Sequence, residues 1–360
     1  MSTHRTSVPK LASIIVRSMA RPELEDALAS LAAQTYPRVE VVLVDATGGM
    51  HPGPPAMCGP HAVRFVAGSA PRSRPVAANA GLDAASGDYI GFLDDDDRLL
   101  PGHVACLVAA LDAHPESAVA YAQGVEIDGD GRVVGVRAEP FSRALLFQDS
   151  YVMLPAAMLR RELRGSCRFD PAFDVFEDWD FWIQASRVTD FLAVAQQTVI
   201  YRSSLGRSGI GRGENRDVAV VEAYRQRIAA KWRVEGERAM RELEEAYAAA
   251  QSAFEAGDRA RAAALAADVL SRYRYHVGAL TLGGTLAALC GDFAVAATHF
   301  KLAVREAPED ANVRFNLAQT LERCGTKGEA IAAYRQVLAL APAHPHALAR
   351  LRQLGASVRP

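Results

Sequence analysis

Apolar positions follow two different rhythms along this chain. Through the first half, short β-branched runs alternate with stretches of helical period. "LASIIV" and "VEVVLVD" suit buried parallel strands, and the intervening "RPELEDALASLAAQ" places Leu24, Leu28 and Leu31 on one helical face. Pro22 fits a first helical turn, and Tyr36-Pro37 stops the helix. "AVRFVAG", a helix over "RPVAANAGLDAAS" and a strand over "DYIGFLD" continue the alternation, which predicts an α/β domain with a Rossmann-like, mostly parallel sheet. Beyond it come a helix over "GHVACLVAALDAHP" and a strand and hairpin over "AVAYAQGVEIDGDGRVVGV", turned at Asp130-Gly131. "DGDG" lacks the remaining ligand positions and the closing glutamate of a calcium loop.

The second half repeats itself. Gly257, Gly291 and Gly325 recur every 34 residues, each followed five positions later by an alanine: Ala262, Ala296 and Ala330. Glycine at a helix end and small residues where helices touch are the marks of a helix-turn-helix solenoid. "EAGDRARAAALAADVL", "LCGDFAVAATHFKLAV" and "RCGTKGEAIAAYRQVL" superimpose without gaps, and this region resembles tetratricopeptide repeats. The repeats fall at about 243–276, 277–310 and 311–344, with a capping helix to 354. Repeats two and three carry an aromatic, Phe300 and Tyr334, and a proline, Pro308 and Pro342; repeat one has Ala266 and Arg274 there, as an atypical terminal repeat does. The predicted domains are therefore 8–213 for the α/β part, 214–242 for a helical linker and 243–354 for an all-α solenoid.

Composition agrees with two cores, since half of the 360 residues are hydrophobic. A net charge of −2 supplies no global field toward nucleic acid or an anionic membrane. Cys58, Cys106, Cys167, Cys290 and Cys324 form no CxxC pair, which fits reduced thiols better than a disulfide framework or a zinc site. The apolar stretch near the start, Leu11 to Val16, is too short for a signal peptide, and no run approaches the roughly 20 apolar residues of a membrane span. These features predict a soluble, cytoplasmic protein without a transmembrane segment.

In open α/β sheets, ligands sit beyond the carboxyl ends of the strands. Three acidic features fall there: Asp45 after the second strand, Asp94 to Asp97 after the fourth, and Glu177, Asp178 and Asp180 where a loop enters a helix. Taken alone, four consecutive aspartates suit a solvated loop, and Asp178 suits a helix N-cap as well as a base.

From about Ser13 to Arg202 the chain resembles the family-2 glycosyltransferases of the GT-A fold. The resemblance rests on "SIIVRSMARPELEDALASLAAQTYP", "VVLVD", "RPVAANAGLDAASGDYIGFLDDDDRLLP" and "FEDWDFWIQAS", in that order. The family's DxD motif maps to Asp94 and Asp96, and its catalytic-base motif to Glu177 and Asp178. The resemblance implies transfer of one sugar from a nucleotide-diphosphate sugar to an acceptor hydroxyl with inversion. Mn²⁺ or Mg²⁺ on hard carboxylate oxygens would neutralise the departing diphosphate. Asp96 is then the direct ligand, Asp94 contacts the metal, a metal-bound water or the ribose, and Asp178 takes the acceptor's proton. Ser18, Arg21, Asp45, Arg74, Asn79 and Asp95 fall on the nucleotide-sugar side, with close helix packing the simplest role for Asn79. Asp97 either orients its neighbours or faces solvent. Trp179 is placed toward the acceptor. A lid closing on phosphates with Arg202, Arg207 or Arg212, or else a linker, is placed over "YRSSLGRSGIGRG", residues 201–213. The acceptor would be a glycan, a lipid-linked sugar or a protein, with the repeats binding the acceptor, a partner protein or another copy.

Three departures stand out. Ala46 replaces a second acid after Asp45, Arg17 and Ser18 stand where relatives have proline and threonine, and Ser203 and Ser204 stand where many have a histidine. The chain has no QxxRW-type segment, which favours single addition over polymerisation. The alternative is a non-catalytic scaffold on a transferase-like fold. A nucleotidyltransferase fits less well, because "VRSMARPE" lacks the expected glycine and lysine.

Overall fold

The computed structural model describes residues 8–128, 130–202 and 217–357. The chain divides into two compact units between Arg233 and Val234. That boundary lies inside the expected linker 214–242, and the helix over Val218–Lys231 belongs to the first unit.

The first unit begins β1 (Ala12–Ser18), α1 (Leu24–Ala32), β2 (Val39–Asp45), β3 (Met57–Cys58), β4 (His61–Val66), α2 (Arg74–Ala84), β5 (Tyr89–Asp94) and β6 (Arg98–Leu99). It continues α3 (His103–Ala113), β7 (Val119–Ile127), β8 (Val133–Arg137), α4 (Arg143–Leu146), β9 (Ala157–Arg160), α5 (Glu177–Ser186), β10 (Phe191–Arg202) and α6 (Val218–Lys231). The strands form one sheet in the order β3-β4-β2-β1-β5-β9-β7-β10-β6, with β8 added to β7. The run β4-β2-β1-β5 is parallel as predicted. The sheet as a whole is mixed, because β9 pairs antiparallel with both β5 and β7. "AMLR" is too short an apolar run to declare itself a central strand in sequence.

All residues of β1 and β2 are buried, as both-face coverage by helices requires. Packing between α2 and β1 is close: a Cβ at Gly81 would lie 2.2 Å from Ile15 Cγ2, so this helix position admits no side chain. The register sets Ser18 beside Asp45 and Arg17 beside Asp94. Three strands thereby deliver their last polar residues to the same sheet edge.

The second unit is helical: α7 (Arg233–Glu255), α8 (Arg259–Arg272), α9 (Val277–Leu289), α10 (Phe293–Glu306), α11 (Ala311–Arg323), α12 (Lys327–Leu340) and α13 (Pro345–Gln353). Gly257, Gly291 and Gly325 adopt φ of +81°, +82° and +80°, the left-handed turn that ends α7, α9 and α11. Ala262, Ala296 and Ala330 are fully buried where successive helices meet. No described helix is long and apolar enough to cross a membrane.

Candidate active site

Arg17 organises the sheet edge. It ends an apolar strand and is only 7% exposed, so its charge needs partners within the protein. Nε and Nη2 donate to Asp94 Oδ1 and Oδ2 at 2.7 and 2.8 Å, a fork-to-fork pair, and Nη1 donates to Glu177 Oε1 at 2.7 Å. Burial opposes charge on both Arg17 and Asp94, but their mutual attraction prevails, holding the carboxyl below and the guanidinium above their ordinary ranges.

The next three aspartates have separate environments. Asp95 and Asp97 are 1% and 3% exposed, so neither is solvent-facing charge. Asp95 accepts from the Met19 amide at 2.7 Å and from Arg21 Nη1 at 2.9 Å, holding the loop after β1. That loop includes Ala20 at φ +55°, and its amide donates to Ser18 Oγ at 3.0 Å. Asp96 accepts from Arg21 Nη1 at 3.0 Å. Burial and the Asp94 charge nevertheless push it up to about 6. Asp97 accepts from the Arg202 amide at 3.2 Å and is raised well above the usual carboxylate range by burial and by Asp94 and Asp96. Carboxylate oxygens of Asp94, Asp96 and Asp97 lie within 4.8 Å of one another, a set of hard donors suited to Mg²⁺ or Mn²⁺. Arg17 on Asp94, Arg21 on Asp96 and the Arg202 amide on Asp97 leave lone pairs on each carboxylate, so the set fits such an ion.

Opposite these groups, α5 begins at Glu177. Phe176 before it adopts φ +62°, a left-handed conformation that costs a bulky residue roughly 1–3 kcal/mol and is characteristic of functional turns. Phe176 offers no side-chain cap to the helix. Glu177 is buried against Arg17, while Asp178 is partly exposed and accepts from the Trp179 amide at 2.8 Å. Burial, then the charge of Glu177, raise Asp178 to about 7, with Arg17 and Arg74 opposing. Arg74 opens α2, and its charge lowers both Asp94 and Asp178.

Several expected site residues do other work. Asp45 accepts from the Thr47 amide at 2.7 Å, the Thr47 hydroxyl at 2.6 Å and the Gly49 amide at 2.9 Å, so both its oxygens hold its own turn. These bonds outweigh burial and keep it below its ordinary range. Asn79 exchanges two hydrogen bonds with the backbone of Phe169, the packing role. Trp179 is no acceptor platform: it is 2% exposed and its Nε1 donates to the Leu146 carbonyl at 2.6 Å. Arg202 ends β10 rather than riding on a loop, and its side chain pairs with Asp26 at 2.9 Å. Arg207, together with Arg212, Ser203 and Ser204, lies outside the described residues.

Sequence reasoning missed two elements. Arg17 signalled itself only as a charge at the end of a buried strand. α6 gave no sign that it braces α5. Trp232, just after α6, donates to Asp180 Oδ1 at 2.8 Å, Lys231 pairs with the same oxygen at 2.7 Å, and Arg225 lies 5.2 and 5.7 Å from the ring centroids of Phe176 and Trp179. Asp180 is thus a buried tether.

Fold and site together define an α/β domain with an acid-lined sheet edge facing a carboxylate-bearing helix turn. Residues 13–164 match the profile of Glycosyl transferase family 2. The match includes Asp94 to Asp97 and stops before Glu177 and Asp178. The chain is 26% identical over 220 residues to the O-antigen biosynthesis protein RfbC of Myxococcus xanthus, an alignment covering 56% of this chain and 16% of that one. It is 28% identical to the uncharacterized glycosyltransferase YwdF of Bacillus subtilis over 54% of this chain and 75% of that one. Among solved structures, S. aureus TarS 1–349 is similar with a TM-score of 0.44 and 15% identity, over 96% of this chain and 90% of that one.

Proposed function

We propose that the first unit is a metal-dependent, inverting glycosyltransferase that moves one sugar from a nucleotide-diphosphate sugar to an acceptor hydroxyl. The observation that carries this reading is the meeting of two acidic groups of different character. One is a carboxylate cluster at the end of β5; the other is a single carboxyl at the start of α5 whose proton leaves near pH 7. Asp96 and Asp94, with Asp97 beside them, would hold Mn²⁺ or Mg²⁺, which when bound offsets negative charge on the diphosphate leaving group. Ser18, Arg21 and Arg74 line the donor side.

Asp178 takes the proton of the acceptor hydroxyl as its oxygen bonds to the anomeric carbon and the bond to the diphosphate breaks. Attack from the face opposite the leaving group inverts that carbon. A carboxyl titrating near the working pH suits a general base. The helical unit is read as three tetratricopeptide repeats with a capping helix, recruiting a glycan, lipid-linked or protein acceptor, or a partner.

A thermal-shift screen of nucleotide diphosphates with and without Mn²⁺ tests the donor half, since a ligand of the native state must raise its stability. At least one nucleotide should stabilise the chain in a metal-dependent way; none doing so would defeat the reading. Donor hydrolysis across a nucleotide-sugar panel then identifies the sugar.

A further inference from the structure

Where the resembling family has a proline at the end of the first strand, this chain has Arg17, and the transferase reading gives that arginine no task. Its donors are divided between the two halves of the site. One edge of the guanidinium takes both oxygens of Asp94, and the remaining nitrogen takes Glu177 Oε1, across a sequence separation of 160 residues. Glu177 precedes the base, and the turn carrying both begins at the left-handed Phe176 without a side-chain cap. Arg17 therefore reaches that turn from the central strand of the donor side.

We propose that Arg17 is a positioning residue that ties the donor-side carboxylate Asp94 to the base-side Glu177, fixing the separation of the two halves. The inference rests on the transferase reading above. An in-line displacement needs base and leaving group at one spacing, and about 1 Å of misplacement costs on the order of 100-fold in rate. Arg17 is suited to this because its planar fork meets two carboxylates at once, which the single point charge of lysine cannot do. Loss of Arg17 frees both halves; loss of the Glu177 carboxylate frees only the base-side turn and leaves the Asp94 fork in place.

The test uses the full chain as wild type, Arg17→Met, Glu177→Met and the double variant. Two readouts are taken: the thermal shift given by Mn²⁺ with UDP, GDP, CDP or dTDP, and kcat and KM for nucleotide-sugar hydrolysis. Arg17→Met should lose at least about half of the nucleotide-dependent shift and about 100-fold in kcat. Glu177→Met should keep the shift and KM while losing roughly 30-fold in kcat, and the double variant should match Arg17→Met within about threefold, because both changes break one bridge. Losses that multiply in the double variant, wild-type kcat in Glu177→Met, or an undiminished nucleotide shift in Arg17→Met would each overturn the bridge. Should Arg17→Met fail to fold, the same cycle with Arg17→Lys decides, since lysine keeps the buried charge without the fork. A wild type neither stabilised by any nucleotide nor active on any donor would overturn the transferase reading and this inference with it; an active wild type with multiplicative losses overturns the bridge alone.

Discussion

The two units treat buried charge in opposite ways. Among the described residues, the first unit buries Arg17, Glu40, Asp45, Asp95, Asp97, Glu177 and Asp180, whereas the helical unit buries no acidic, lysine or arginine side chain and, of polar ones, only His276 and Thr320. Burying an ion costs several kcal/mol unless it is paired and hydrogen-bonded, so a fold carries seven only where they are held by specific partners. Asp45 and Asp180 show a structural use, Asp45 held by donors of its own turn and Asp180 by the distant Trp232 and Lys231. Asp97, and the partly exposed Asp96 and Asp178, show the other: their carboxyls are pushed upward first by burial and then by the like charges gathered near them. Stability is given up at one edge of the first unit, where the upward-shifted carboxyls gather.

Replacing Asp178 gives the largest expected effect. Asp178→Asn should lower turnover by about 10²–10⁴-fold, the range for loss of a general base, while retaining the nucleotide-dependent thermal shift. Wild-type turnover in that variant would make Asp178 a cap and nothing more. The same substitution should stabilise the fold. Folding raises the Asp178 carboxyl from the usual 3.8 to about 7, so the folded chain holds this proton more tightly than the unfolded one. The resulting stabilisation is whole below about pH 4 and is lost as pH rises through 7. Asparagine, neutral throughout, loses nothing. Its melting temperature should therefore exceed that of the wild type at pH 8, with the gap closing toward pH 4. For the wild type, kcat/KM for donor hydrolysis should climb through about pH 7 as the base of the free enzyme ionises.

In the helical unit the sensitive quantity is volume. Ala296 is fully buried between helices and belongs with Phe300, Leu317 and Ala330 to one apolar cluster. Ala296→Leu should overpack that seam and destabilise the unit by about 1–3 kcal/mol. Nucleotide stabilisation of the first unit should survive, as measured by thermal shift with Mn²⁺. If an alanine-seam substitution abolished nucleotide binding instead, the contrast between a charge-strained unit and a volume-limited one would fail.

Legibility in the sequence follows the same division. The helical unit repeats a local rule, so glycine and alanine at fixed offsets mark each turn and seam from sequence alone. The parallel core is legible for a related reason, since β1 and β2 must be apolar along their whole length. What escapes is determined by distant partners. Arg17 can be buried only because Asp94 and Glu177 lie far along the chain, and nothing near it in sequence announces them. Trp179 reads as an exposed platform until its indole is found satisfied by Leu146 from α4. β9 escapes because four residues between irregular segments carry no periodic signal. The tie from α6 to Asp180 joins residues 52 apart, again beyond local pattern.

Backbone conformation supplies the smallest and sharpest test of the repeating unit. Gly291 adopts φ +82°, and a Cβ built there meets nothing within 4 Å. A Gly291→Ala change therefore introduces no clash, and its cost is purely that of placing an L-residue in the left-handed region, about 1 kcal/mol. Asparagine, which tolerates that region better, should recover part of the loss. Equivalent changes at Gly257 and Gly325, equally open and at φ +81° and +80°, should cost the same amount within a few tenths of a kcal/mol. Thermal unfolding of the three alanine variants measures this directly. Equal penalties would mean that one turn has been used three times, whereas a much larger penalty at one site would mean that its neighbours, and not the repeated backbone rule, set the cost there.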